Sequence, residues 1–327
     1  MTFTRRHALA TLLLAAATAL PAGSWAQAYP TKAVTLVVAY PAGGDTDALA
    51  RVFAEKLSAR IHQPVVVDNR PGASGVIGSA YVSRAPADGY TLLLAPSTLA
   101  IAQLVLKTPP SAGYDAAQGF TPIVQTGAQP LFLVAGASVS AKKLPALVSA
   151  AKSGQELAYA SPGSGSPMHI LGEMFNRQAA VNFRHIPYRG VAPAVNDVLG
   201  GHVPLTWMTL GPVAPYLANG KMTLLAVADR QRSALAPDVP TLKELGYGGV
   251  EVGAWNGLFG PRGLSADLTA ALNAHFNQIL RMPEVIERMA SLGVLPVGGA
   301  PAVLAQTHAA DLDRFSRIIK DLGIQAD

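Results

Sequence analysis

Cysteine is absent from all 327 residues. That excludes disulfides, thiol catalysis and thiolate metal sites, and leaves a large core to hold the fold. Charge is sparse as well. Asp, Glu, Lys and Arg make up 14% of the chain, against roughly 25% in an ordinary soluble domain. The formal net charge of +5 is mild for this length, and no Lys/Arg block occurs. A nucleic-acid partner is therefore not expected. Several chemical signatures are missing: the G-x-x-x-x-G-K-[ST] phosphate loop, the G-x-S-x-G nucleophile elbow, and H-x-x-x-H or H-E-x-x-H metal spacing. Ser140-x-x-Lys143 and Ser149-x-x-Lys152 match a penicillin-binding pattern, but no S-D-N or K-T-G accompanies them. No metal and no cofactor is expected. After the N-terminus, no apolar run reaches the roughly 20 residues that span a bilayer.

What is present begins with an export signal. Arg5 and Arg6 precede the apolar run Leu9 to Leu20, then Pro21, Gly23 and the small-residue site around Ala26. Residues 1–26 read as a cleavable signal peptide, with cleavage after Ala26 or Ala28, so the expected compartment is the periplasm. The general secretory route is the default. Thr4-Arg5-Arg6-His7-Ala8-Leu9 also resembles a twin-arginine signal.

Hydrophobic residues are 50% of the chain, which suits buried strands. The β-branched run Val34–Ala39 reads as a strand and is broken by Pro41-Ala42-Gly43-Gly44. A helix follows from about Asp45, with Leu49, Phe53, Leu57 and Ile61 at spacing four. Further strands are expected at residues 65–67, 90–95, 131–135, 157–160, 183–187, 203–208, 223–228 and 250–259. Helices are expected from Ser74, at 145–153, 167–178, 190–199 and 265–281, and around Leu304 to Ile319. This alternation predicts an α/β fold of mainly parallel sheets covered on both faces.

Two loops echo each other. Tyr40-Pro41-Ala42-Gly43-Gly44-Asp45 and Ser161-Pro162-Gly163-Ser164-Gly165-Ser166 each follow a strand and open a helix. Open α/β sheets bind ligands at such places. Ser166 suits an N-cap and Pro167 the first helical position. The unpaired amides of that first turn, with the Ser161, Ser164 and Ser166 hydroxyls, suit an anion. Gly163-x-Gly165 lacks the third glycine of a dinucleotide fingerprint. His169 falls in the first turn, where it serves either a ligand or a neighbouring carbonyl, and Glu173 lies one turn on. Asp45 and Asp47 fit helix capping as well as acid chemistry.

Six stretches in order carry a resemblance. They are "VVAYPAGGDTDALAR", "VVVDNRPGASGVIGSAYVSRAPADGYTLL", "YASPGSGSPMHILGEMF", "HIPYRGVAPAVNDVLGGHV", "DRQRSALAPDVPTLKELGY" and "WNGLFGPRGLSADLTAALN". The chain resembles the periplasmic solute-binding receptors of tripartite tricarboxylate transporters, the Bordetella uptake gene (Bug) family, over essentially its whole mature length. The resemblance implies a two-domain Venus-flytrap fold, type II-like, with two interdomain crossings near 125–130 and 250–256. Domain one would comprise 29–127 plus 254–327, and domain two 128–253, with the ligand cleft between them. It implies a monomer, not an enzyme, that delivers a small carboxylate or related organic acid to a membrane permease. A ligand sensor feeding a sensor kinase is the alternative. The implied ligand-binding residues are Tyr40, Gly43, Gly44 and Asp47 in the first loop, and Ser97 and Thr98 after the third strand. Ser161, Ser164, Gly165, Ser166 and His169 come from the second domain, with Tyr188 and Asp197, the latter anchoring water. Asp45 departs from the family pattern. A carboxylate there disfavours strongly anionic ligands, or caps its own helix. The rival class is a secreted serine hydrolase using Ser164 or Ser166 with His169, and no spacing supplies its third group.

Overall fold

The computed structural model describes residues 29–106 and 113–325. The expected signal peptide, residues 1–26, and its cleavage points lie outside the described residues. From Lys32 onward the chain forms one compact unit. No helix of the described residues is long and apolar enough to cross a membrane.

The chain opens with strand β1 (Val34–Val38), helix α1 (Asp45–Ile61), β2 (Val65–Asn69), α2 (Val76–Ser83), β3 (Thr91–Pro96) and the one-turn α3 (Ala102–Val105). It continues through β4 (Phe120–Gln129), β5 (Leu131–Gly136), α4 (Leu144–Lys152), β6 (Leu157–Ser161), α5 (Pro167–Ala179), β7 (Phe183–Pro187) and α6 (Val191–Leu199). The remainder is β8 (Leu205–Thr209), β9 (Met222–Val227), β10 (Ala254–Pro261), α7 (Ala266–Ile279), α8 (Pro283–Ser291), β11 (Leu295–Pro296) and α9 (Pro301–Leu322).

The strands build two sheets. One has the order β11-β4-β10-β3-β1-β2, the other β7-β6-β8-β5-β9. The α/β architecture and the two passages between sheets follow the expectation. The pairing is more mixed than expected. β1 runs parallel to β2 and β3, and β6 runs parallel to β7 and β8. These are the strands linked by helices, which parallel pairing requires. β10 pairs antiparallel with both β3 and β4, and β5 with both β8 and β9. β4 and β5 are separated by Pro130 alone, so no crossover helix fits between them.

β4 was not expected from the sequence. It is a central strand that carries Pro122, Gln125, Thr126 and Gly127. Register shifts against β10 accommodate it, since a proline or glycine inside a sheet needs a bulge or close neighbour. A Cβ on Gly127 would lie 2.4 Å from Val294 Cγ1.

Helix formation follows spacing and caps. In α1, Leu49, Phe53, Leu57 and Ile61 are all buried. In α5, Ser166 Oγ accepts from His169 N and Pro167 opens the helix. The last helix straps both halves together. Leu304, near its start, packs with Trp255 and Phe259 of the first sheet. Phe315 and Ile319 belong instead to the core of the second, with Leu171, Phe175 and Trp207. A second close approach joins the halves. A Cβ on Gly211, after β8, would lie 2.2 Å from Leu292 O, and one on Gly293 would lie 2.5 Å from Gly211 N.

Phe175 is fully buried, with ring centroids 5.9 Å from Phe183, 5.5 Å from Trp207 and 5.2 Å from Tyr247. Phe175→Ala is expected to lower unfolding stability by about 3–5 kcal/mol in urea titrations. A loss below about 1 kcal/mol would show that this cluster does not carry the core.

Candidate functional site

Between the two sheets lies a cleft with about 740 Å³ of empty space, part of it open to solvent. Its walls come from loops at the ends of β1, β3, β4, β6, β7 and β8. Tyr40 to Thr46, Ser74, Pro96 to Thr98, Gln129 and Ala254 line one side (Gly43 excepted). Pro162, Gly163, Ser166 to Met168, Arg189 to Pro193 and Thr209 line the other.

The first loop turns through Gly43 at φ +85°, a left-handed conformation that glycine adopts without strain. Behind it Asp47 is almost fully buried. Its carboxylate accepts from Gly43 N at 2.9 Å, Asn69 Nδ2 at 3.0 Å, and Arg51 Nε and Nη2 at 3.0 Å each. Burial alone would raise the Asp47 pKa. The Arg51 guanidinium, the Gly43 amide and Asn69 outweigh it and hold the pKa below the usual carboxylate value. Asp45 stands one step nearer the cleft, with Oδ1 accepting from Thr46 N at 2.8 Å. The start of α1 is thus served by the chain's own two acids. Tyr40 OH donates to Ser74 O at 3.1 Å. Burial drives its pKa upward, Thr98 opposes this, and the nearby Asp45 charge adds to the rise. Ser74 Oγ in turn donates to Ser164 O at 2.8 Å, tying the first half to the second.

After β3, Ser97 is fully buried and Thr98 nearly so. Ser97 lines the cleft, and its buried Oγ has no hydrogen-bond partner among the described residues. Buried polar atoms rarely stay unsatisfied without a reason.

The Ser/Gly loop of the second half rests on two stacked imidazoles. The His169 and His185 rings lie 3.9 Å apart and 8° from parallel. His169 Nδ1 accepts from Gly165 N at 3.2 Å, and Ser161 Oγ is hydrogen bonded to His185 Nε2 at 2.6 Å. Burial pushes the His185 pKa down to about 4, so that ring is neutral at pH 7. Tyr159 OH donates to Glu173 Oε1 at 2.8 Å and to His169 O at 3.2 Å. Glu173 therefore engages Tyr159.

The third wall is the start of α6. Its N-cap is Gly190, with φ +118° and no side-chain cap. Val191, Ala192 and Pro193 offer no side-chain acceptor. The Val191 and Ala192 amides have no intrahelical partner at this end, where the helix dipole is positive. Both residues line the cleft.

A largely apolar cleft with a few amides and hydroxyls on its walls suits a small organic acid. Comparison with known proteins agrees. The family model described as "Tripartite tricarboxylate transporter family receptor" matches residues 49–324. The chain belongs to this receptor family. Protein BugT of Bordetella pertussis is 34% identical over 324 residues, covering 99% of this chain and 99% of BugT. The solved periplasmic binding protein BugD superposes with a TM-score of 0.84 at 31% identity, over 91% of this chain and 100% of BugD. A Rhodopseudomonas palustris protein solved with adipate gives a TM-score of 0.86 at 33% identity, over 91% and 99%.

In this receptor the residues expected from the sequence divide into two groups. Tyr40, Gly44, Ser97, Thr98 and Ser166 line the cleft, and Gly43 lines the recess adjoining it. Asp47, Ser161, Ser164, Gly165 and His169 stand behind the loops and hold their shape through the bonds above. Tyr188 OH donates to Asp197 Oδ2. Burial first, then this bond and the Asp197 charge, push the Tyr188 pKa up to about 12. Neither residue is on the cleft wall. Asp45, which the sequence offered either as a carboxylate at the ligand loop or as a cap of its own helix, lines the cleft, and the sequence reading missed Gln129, Thr209, Val191 and Ala192. Gln129 and Thr209 end β4 and β8, where an open α/β sheet binds ligands. That signal was usable for Thr209 and hidden for Gln129 with its strand. Of the two serines in the hydrolase reading, Ser166 serves as the α5 cap, its Oγ accepting from His169 N, while His169 Nδ1 accepts from Gly165 N.

The His185 environment has a pH consequence. The native pKa is about 4, and the unfolded one is near 6.5. As pH falls below about 6.5, the unfolded chain gains a proton that the native state refuses, so stability falls until about pH 4. In His185→Gln the drop in melting temperature between neutral and mildly acid pH should be smaller than in the parent. Equal drops in both would mean that His185 titrates normally in the fold.

Proposed function

We propose that this receptor works in the periplasm, capturing a small carboxylic acid between its two lobes and handing it to a membrane permease of the tripartite type. The lobes comprise 29–127 plus 254–327, and 128–253. Export through the N-terminal signal, whichever route it takes, places the receptor beside that permease. The ligand is held and released without chemistry.

One observation carries the reading. Ser97 lines the cleft with a fully buried hydroxyl that has no partner among the described residues, and the uncapped start of α6 lines the facing wall. A carboxylate accepts from both without displacing an existing bond. The protein solved with adipate shows that a relative of this shape accommodates an organic acid. Both lobes contribute contacts, so binding favours the arrangement in which they meet, as differential affinity requires. Ser74–Ser164 and Asp45–Thr209 already join them.

A thermal-shift panel of small mono- and dicarboxylates, hydroxy acids and amino acids tests this. A true ligand at about 100 times its dissociation constant should add roughly 2.7 kcal/mol of stability. Ser97→Ala should leave the unliganded protein as stable as before or slightly more so, while weakening that ligand about threefold to tenfold. No stabilisation by any organic acid would overturn the proposal.

A further inference from the structure

Resting on the receptor reading above, we propose that Asp45 is a specificity residue that selects carboxylic acids bearing a hydrogen-bond-donating nitrogen, an ammonium above all, over dicarboxylates. The two acids that open α1 differ sharply. Asp47 is neutralised by Arg51 and faces inward. Asp45 lines the cleft and also the adjoining recess, which it shares with Gly44, Val191 and Ala192. Every hydrogen-bond partner of Asp45 is neutral. Oδ1 takes Thr46 N, and Oδ2 takes Gln129 Nε2 at 3.5 Å and Thr209 Oγ1 at 3.4 Å, both at the outer limit for such bonds. Gln129 is drawn the other way as well, its Oε1 accepting from Asn256 Nδ2 at 2.6 Å. Among the described residues no cation forms an ion pair with Asp45. Its Oδ2 is therefore an under-used acceptor carrying charge into the ligand space.

The opposite sign comes from the other lobe. The uncapped start of α6 and the exposed Arg189 line the same cleft, and no hydrogen bond joins either to Asp45. The cleft thus has a positive wall for a carboxylate and a negative wall supplied by Asp45. A zwitterionic acid satisfies both walls at once. A dicarboxylate brings a second negative charge toward the half-buried Asp45, where like charges repel more strongly than in bulk water. Repulsion of this kind is a common basis of ligand choice.

Calorimetric titration with aminocarboxylates (α- and ω-amino) and dicarboxylates matched for chain length tests this on the mature protein. The parent should bind its preferred aminocarboxylate at least about tenfold more tightly than the matched dicarboxylate. In Asp45→Asn that ratio should shift by about tenfold or more toward the dicarboxylate. Asp45→Ser, which keeps an acceptor at the helix start, should shift it in the same direction, and melting temperatures of both variants establish that they fold. If the parent binds dicarboxylates as tightly as aminocarboxylates, or if the ratio is unmoved by either substitution, the assignment of Asp45 is wrong while the receptor reading stands. If the parent binds no acid of either series, the assignment of Asp45 is wrong, and the receptor reading falls only if the monocarboxylates and hydroxy acids of the wider panel also fail to bind.

Discussion

Polar groups facing the interior of a cleft must be partnered, by the protein or by something that enters it. This constraint organises the whole space between the two sheets. Most of the polar groups there are matched internally: Gln129 with Asn256, Tyr40 with Ser74 O, Asp47 with Arg51, Asn69 and Gly43. Ser97, whose Oγ has no partner among the described residues, and the first residues of α6 line opposite walls of the cleft. Trp207 Nε1, Asn256 Oδ1, Thr269 Oγ1 and His308 Nδ1 are also buried without a partner among the described residues, so it is position beside the cleft that sets Ser97 and the α6 amides apart: a bound anion gains from them what bulk water would otherwise supply.

Loop shape is secured from behind the wall. His169 and His185 stack beneath the Ser/Gly loop, hydrogen bonded to Gly165 N and to Ser161 Oγ. Burial keeps His185 neutral, so its ring adds no positive charge beneath the loop. Asp47 does the equivalent work under the first loop. In both lobes a titratable residue holds loop geometry from behind the wall.

The sequence was most readable where local rules are strong. The apolar spacing of α1, the Ser166-Pro167 opening of α5 and the β-branched run of β1 all reappear in the fold with boundaries close to those expected. β4 escaped because Pro122, Gln125, Thr126 and Gly127 break its pattern, and only its neighbours β10 and β11 make that sequence acceptable as a strand. At the site, residue types were legible and directions were not. Asp45 and Asp47 are two positions apart and equally acidic. Which one faces the cleft depends on Arg51 and Asn69, the second of which comes from a different strand. Likewise the Tyr188-Arg189-Gly190 turn announced a helix start, but the cleft receives the amides after it, while Tyr188 bonds to Asp197.

The contact of Gly211 with Leu292 and Gly293 sets how deeply the lobes approach one another. Two missing methyl groups act there as a spacer of zero thickness. An alanine at either position would prop the lobes apart without touching any residue of the cleft wall. Gly211 and Leu292 also line the recess that adjoins the cleft, so the spacer sits beside the ligand space without being part of the cleft wall. Cleft size and cleft chemistry can drift independently, so receptors with the same donors can come to hold guests of different bulk.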